Sequence, residues 1–137
     1  YLFSQYDSTS WNDGYCSTYD TFDEDLSKWN VSSVTAMSQM FSSASSFNSD
    51  VSAWDVSSVT DMGSMFSLAS SFNSDVSQWD VSSVTDMSSM FFYATSFDQH
   101  LCWDVPRRAN TTSIFEDSAG ACINETCGSA RNSSLYC

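Results

Sequence analysis

A single-domain solenoid of about four stacked coils, each carrying one parallel strand and one short helical turn, is the fold class this sequence predicts. Three observations lead there. The stretch "DVSAWDVSSVTDM" at residues 50 to 62 returns at residues 75 to 87 as "DVSQWDVSSVTDM", with one letter changed. Phe22, Phe47, Phe72 and Phe97 recur every 25 residues, and Trp29, Trp54 and Trp79 keep step with them. Finally, 137 residues suffice for one domain, whereas a single 25-residue unit cannot enclose a core unless copies stack. A period between about 20 and 29 residues places the chain in the leucine-rich-repeat-like class.

The elements follow in order. Residues 1–21 form an aromatic N-terminal segment in which Tyr1, Phe3, Tyr6, Trp11 and Tyr15 either cap the first coil or meet the open end of another subunit. Residues 22–118 hold four coils starting at Phe22, Phe47, Phe72 and Phe97. Within the second coil, Trp54 and Val56 alternate as strand neighbours do, which turns both inward and Asp55 outward. Val59, Met62, Met65, Phe66 and Ala69 then step by three, three, one and three, a helical interval, with Thr60 as its cap and Asp61 at its positive end. The fourth coil departs from the pattern: Cys102 precedes Trp103, and Pro106, Arg107 and Arg108 replace a Ser-Ser-Val triplet. Polar substitutions suit a coil with nothing stacked beyond it. Residues 119–137 form a cysteine-rich C-terminal cap.

The run Val51-x-x-Trp54-x-Val56, followed by Val59-x-x-Met62-x-x-Met65-Phe66-x-x-Ala69, resembles the BspA-like branch of leucine-rich repeats. It is similar to the 25-to-26-residue repeats of bacterial and protist surface lipoproteins, over about residues 22 to 118. The resemblance implies a right-handed solenoid at or outside a cell surface, an adhesin or coat component, with no enzymatic activity.

Composition excludes several partners. Seventeen acidic side chains against four basic ones give a net charge of −13, which repels nucleic acid and anionic lipid. No apolar run approaches the roughly 20 residues that cross a bilayer, so no membrane insertion is expected in this segment. The chain opens at Tyr1 without a basic or hydrophobic leader and reads as a mature or excised piece. Serine makes up about a quarter of the residues, but aromatic and thioether side chains recur too regularly among the serines for a disordered linker.

Cysteine usage points to an oxidising compartment. Cys102, Cys122, Cys127 and Cys137 gather near the C-terminus with spacings unlike a zinc site, and are expected to form two disulfides in any of three connectivities. Cys16 lies at least three layer spacings of roughly 4.8 Å from Cys102, beyond the ~7 Å a disulfide spans, and is expected to be free or intermolecular. Four glycosylation sequons begin at Asn30, Asn110, Asn124 and Asn132.

Chemistry has little purchase elsewhere. Asp55, Asp80 and Asp104 are expected in one outward column, Asp50 with Asp75 in another, and Asp61 with Asp86 in a third. Calcium between coils would relieve their repulsion, but no calcium-loop pattern is present, so the favoured reading is a solvated face with each aspartate in an Asx turn. His100 stands alone, and neither a nucleophile motif nor a phosphate loop occurs. No cofactor and no enzyme activity are expected. The sequence points to an extracellular structural glycoprotein of a surface layer, sheath or fibre that associates with itself. The alternative is an adhesin that binds protein or glycan through Ala53, Asp55, Ser57, Gln78, Asp80 and Ser82 on a concave sheet face; small outward side chains weigh against it.

Overall fold

The structure, a computed structural model, describes residues 21–119 and 122–123. In it the 25-residue period becomes a pile of layers. Parallel bridges join Ala36 to Asp61, Asp61 to Asp86 and Asp86 to Asn110, so one residue of each copy lies over its counterpart in the next. Within a layer the chain proceeds almost entirely by β-turns. In the second copy the amides of Trp54, Val59, Met65, Ser67, Ala69 and Phe72 each donate to the carbonyl three residues back, at 2.9–3.2 Å.

This overturns the leucine-rich-repeat-like solenoid of parallel strands and short helical turns. Among the described residues there is no helix, and strand is confined to two residue pairs, β1 (His100–Leu101) and β2 (Cys122–Ile123), which run parallel with His100 opposite Cys122. The reason lies in the backbone of the segment read as helical. Ser64 and Leu68, the third residues of the turns 62–65 and 66–69, have φ of 55° and 62°. Left-handed third positions are what a type II turn demands. They reset the chain direction every four residues, so side chains are buried at helix-like intervals while the amides of Met62, Ser64, Phe66 and Leu68 leave the segment and those of Met65, Ser67 and Ala69 only close turns. Nor is there a helix for Thr60 and Asp61 to cap. Thr60 donates both its amide (2.8 Å) and its hydroxyl (3.1 Å) to the Thr35 carbonyl, and Asp61 accepts the Gly63 amide at 2.9 Å.

The same left-handed residues recur as Gln39 and Ser43, Ser89 and Tyr93, and Ser113 and Asp117. None is glycine, although each such residue costs about 1–2 kcal/mol in this region. Layer-to-layer hydrogen bonds offset that strain. The amides of Met62, Ser64, Phe66 and Leu68 donate to the carbonyls of Asp86, Ser88, Met90 and Phe92 at 2.7–2.9 Å.

Side chains pointing inward fill the interior. Two phenylalanines per layer lie face to face, Phe41 on Phe47 at 4.0 Å, Phe66 on Phe72 at 3.8 Å and Phe91 on Phe97 at 3.9 Å between ring centroids. Each also stacks on its counterparts in the adjoining layers, 5.5–5.9 Å away, the columns running from Phe22 to Phe97 and from Phe41 to Phe115 among the described residues. Trp29, Trp54, Trp79 and Trp103 form a parallel column at 6.5 Å per step. Full burial of one such ring contributes roughly 1.5–3 kcal/mol, and Phe41, Phe66 and Phe91 are wholly inaccessible to solvent.

Candidate interaction surfaces

The surface has two chemically distinct long sides, and the tryptophan side is organised by side chains. Every buried indole reaches back one layer: the Nε1 of Trp54, Trp79 and Trp103 donates to the carbonyls of Leu26, Val51 and Val76 at 3.0–3.1 Å. Beside them an amide–carboxamide ladder climbs the stack. The Asn48 amide donates to Asp23 Oδ1, the Asn73 amide to Asn48 Oδ1 and the Asp98 amide to Asn73 Oδ1, at 2.7–3.1 Å.

Five outward aspartates on this side each close an Asx turn, whereas Asp104 cannot, since Pro106 two residues on has no N–H. Asp55 Oδ1 accepts from the Ser57 amide at 3.2 Å and the Ser57 hydroxyl at 2.6 Å. Amide bonds of 2.9–3.0 Å hold Asp25, Asp50, Asp75 and Asp80 in the same way. In all five the serine hydroxyl bond, and then the serine amide bond, lowers the carboxyl pKa below its ordinary value. Opposing this more weakly, Asp25 acts on Asp50, Asp50 on Asp75 and Asp80 on Asp55 across the layers. The local bond outweighs the like charge one layer away.

The opposite side is held by backbone. Peptide units 36–37, 38–39, 40–41 and 42–43 lie along the stacking direction, since the amides of Met37, Gln39, Phe41 and Ser43 donate to Asp61, Gly63, Met65 and Ser67 in the next layer. The next two interfaces repeat this, ending on the carbonyls of Asn110, Thr112, Ile114 and Glu116. A trans peptide points its C=O and N–H in opposite directions, and the described chain has no cis bond. The carbonyls of Ala36, Ser38, Met40 and Ser42 therefore face out of the N-terminal end, and the amides of Thr111, Ser113, Phe115 and Asp117 out of the C-terminal end. Neither row has a partner among the described residues. Peptide dipoles of about 3.5 D each thus add along the pile. Outside this ladder, the Tyr93 hydroxyl bonds the Asp117 carboxylate, which raises the tyrosine pKa.

Of the residues singled out from sequence, Asp55, Asp80 and Asp104 are exposed along the tryptophan side. Among the described residues no three His, Cys, Asp or Glu side chains come together in a group that could hold a metal ion. The residues assigned to a concave sheet, Ala53, Asp55, Ser57, Gln78, Asp80 and Ser82, sit on turns instead, because no sheet forms there. Asn30 and Asn110 both occupy the aspartate position of an Asx turn: Asn30 Oδ1 accepts from the Ser32 hydroxyl and Asn110 Oδ1 from the Thr112 hydroxyl, each at 2.8 Å. Cys102 is exposed and disulfide-bonded. Tyr1, Phe3, Tyr6, Trp11, Tyr15, Cys16, Asn124, Cys127, Asn132 and Cys137 lie outside the described residues, and of Cys122 only the backbone is described.

Sequence reasoning missed both end rows. Their one trace in the sequence is a small polar residue at the left-handed position of the first turn in most layers, Ser64, Ser89 and Ser113. Without glycine, that trace carries no turn signal.

The family described as "Mycoplasma protein of unknown function, DUF285" matches residues 10–126, and the chain belongs to it. No curated protein and no solved structure matches the chain. Among the described residues no helix is long and apolar enough to cross a membrane.

Proposed function

We propose that this protein is a structural component of a cell surface, a building block that associates with itself into a layer, sheath or fibre. The observation that carries this reading is the repeated interface: one set of backbone bonds joins layer to layer three times over and ends in rows of opposite polarity that have no partner among the described residues. An interface that serves three times inside a chain is a template for joining chains. Membership of a surface-repeat family related to the BspA-like repeats is consistent with that location. The reading is non-enzymatic and has no cofactor.

Further features support an extracellular setting. Asn30 and Asn110 are accessible sequon asparagines whose hydroxyl partners are already engaged, and we assign glycans to them and to Asn124 and Asn132. Disulfides among Cys102, Cys122, Cys127 and Cys137, with Cys16 free or linking chains, complete the proposal. Electron microscopy and sedimentation of the purified chain test it: regular polymers or concentration-dependent oligomers are expected. Particles that stay monomeric to about millimolar concentration would instead support a recognition role, with weak contacts through the exposed turn residues Ala53, Asp55, Gln78 and Asp80.

A further inference from the structure

The stack is polar in a way that specifies how copies would join. At each internal interface on the backbone-held side four amides of one layer donate to four carbonyls of the next, while one amide returns the other way, Thr60 to Thr35, Thr85 to Thr60 and Asn110 to Thr85. Among the described residues this leaves the donors of Thr111, Ser113, Phe115 and Asp117 at the C-terminal end, and the acceptors of Ala36, Ser38, Met40 and Ser42 at the N-terminal end. The two rows have the same number of groups and the same two-residue spacing, and they descend from equivalent positions of the repeat. Four donors cannot bond four donors, so a two-fold symmetric contact between identical ends would leave these rows unbonded.

We propose that the occupant of the C-terminal donor row is the N-terminal acceptor row of a second copy, in the register that continues the internal one, so that Asn110 of one chain lies against Ala36 of the next. This rests on the self-association reading above and adds its site, polarity and register. The β2 segment occupies the layer beyond β1, so the contact is confined to the ladder side. A one-sided contact with a net charge of −13 on each copy makes a weak, heterologous joint that strengthens as salt screens the repulsion.

Two variants of the full chain, produced without glycans, test the register. Ser38 and Thr112 occupy equivalent repeat positions, one at each end, that would face each other across the joint. Under mild oxidation the double variant S38C/T112C is expected to give a ladder of covalent multimers on a non-reducing gel, while S38C alone and T112C alone match the parent. In the second variant, Thr111→Pro removes one donor that bonds nothing among the described residues, from a position that follows a bridge residue compatible with a succeeding proline. Its expected effect is at least tenfold weaker association with an unchanged melting midpoint. Oligomers that form without the 38-to-112 crosslink and ignore T111P would overturn the end-to-end register while leaving self-association standing. A chain that stays monomeric and uncrosslinked at every concentration and salt level would overturn both.

Discussion

The two long sides of the stack solve one problem with different groups. On the tryptophan side, layers are joined by indole, carboxamide and hydroxyl groups, so the join depends on which residues are present. On the opposite side they are joined by peptide groups, which every residue supplies. The sequence records the difference. Between the second and third copies, residues 50–62 and 75–87 differ only at Ala53 and Gln78, whereas on the backbone-held side Gly63, Ser67, Leu68 and Ser70 give way to Ser88, Phe92, Tyr93 and Thr95. Near-identity is confined to the region where side chains carry the inter-layer bonds. From 63 to 72 the repeating positions are the inward Met, Phe and Ala together with two serines, Ser64 as Ser89 and Ser71 as Ser96.

The hardest blow to both sides at once is Phe66→Ala. Phe66 stacks on four other phenylalanines and touches the indole of Trp79, so its loss should lower unfolding free energy by about 3–5 kcal/mol in a denaturant titration. Trp79→Phe isolates the tryptophan side. It removes one of the two bonds to the carbonyl of Val51, which keeps the Trp54 amide, and should cost about 0.5–1.5 kcal/mol by the same measurement. A smaller loss would mean that water replaces the indole.

Acid separates the sides by a different route. The Asx-turn carboxylates titrate lower in the folded chain than in the unfolded one, so their contribution is present above the unfolded pKa, near 3.9, and is lost as pH falls through the folded value. Replacing Asp55 and Asp80 by asparagine keeps the turn acceptor and removes the titration. The double variant should melt like the parent at pH 7 and lose less stability than the parent between about pH 4 and pH 2; parallel acid limbs would refute the turn's role. Smallest of all, and confined to the backbone-held side, is Ser64→Gly. Relief of a left-handed serine with φ of 55° should raise stability by about 0.5–1 kcal/mol, the strain removed less the entropy glycine loses on folding.

Sequence legibility divides along the same line. The period, the buried Trp54, Val56 and Phe72 and the outward Asp55 can be read directly, because indoles and carboxylates advertise the environment they need. The Asx turns were readable too, from Asp-x-Ser spacing. What misled was Met62 to Ala69. Burial at intervals of three and four is shared by a helix and by a train of β-turns, and glycine, which separates the two, is absent from the left-handed positions at Ser64 and Leu68. The end rows were invisible for a simpler reason: they consist of peptide groups, which sequence does not distinguish.

The indole bonds carry a consequence for biosynthesis. Trp54, Trp79 and Trp103 each reach back 27 or 28 residues, to a carbonyl that the ribosome has already released. A nascent chain can therefore lay each turn of the pile onto a finished floor as it emerges, building from the first storey upward without waiting for the last residue.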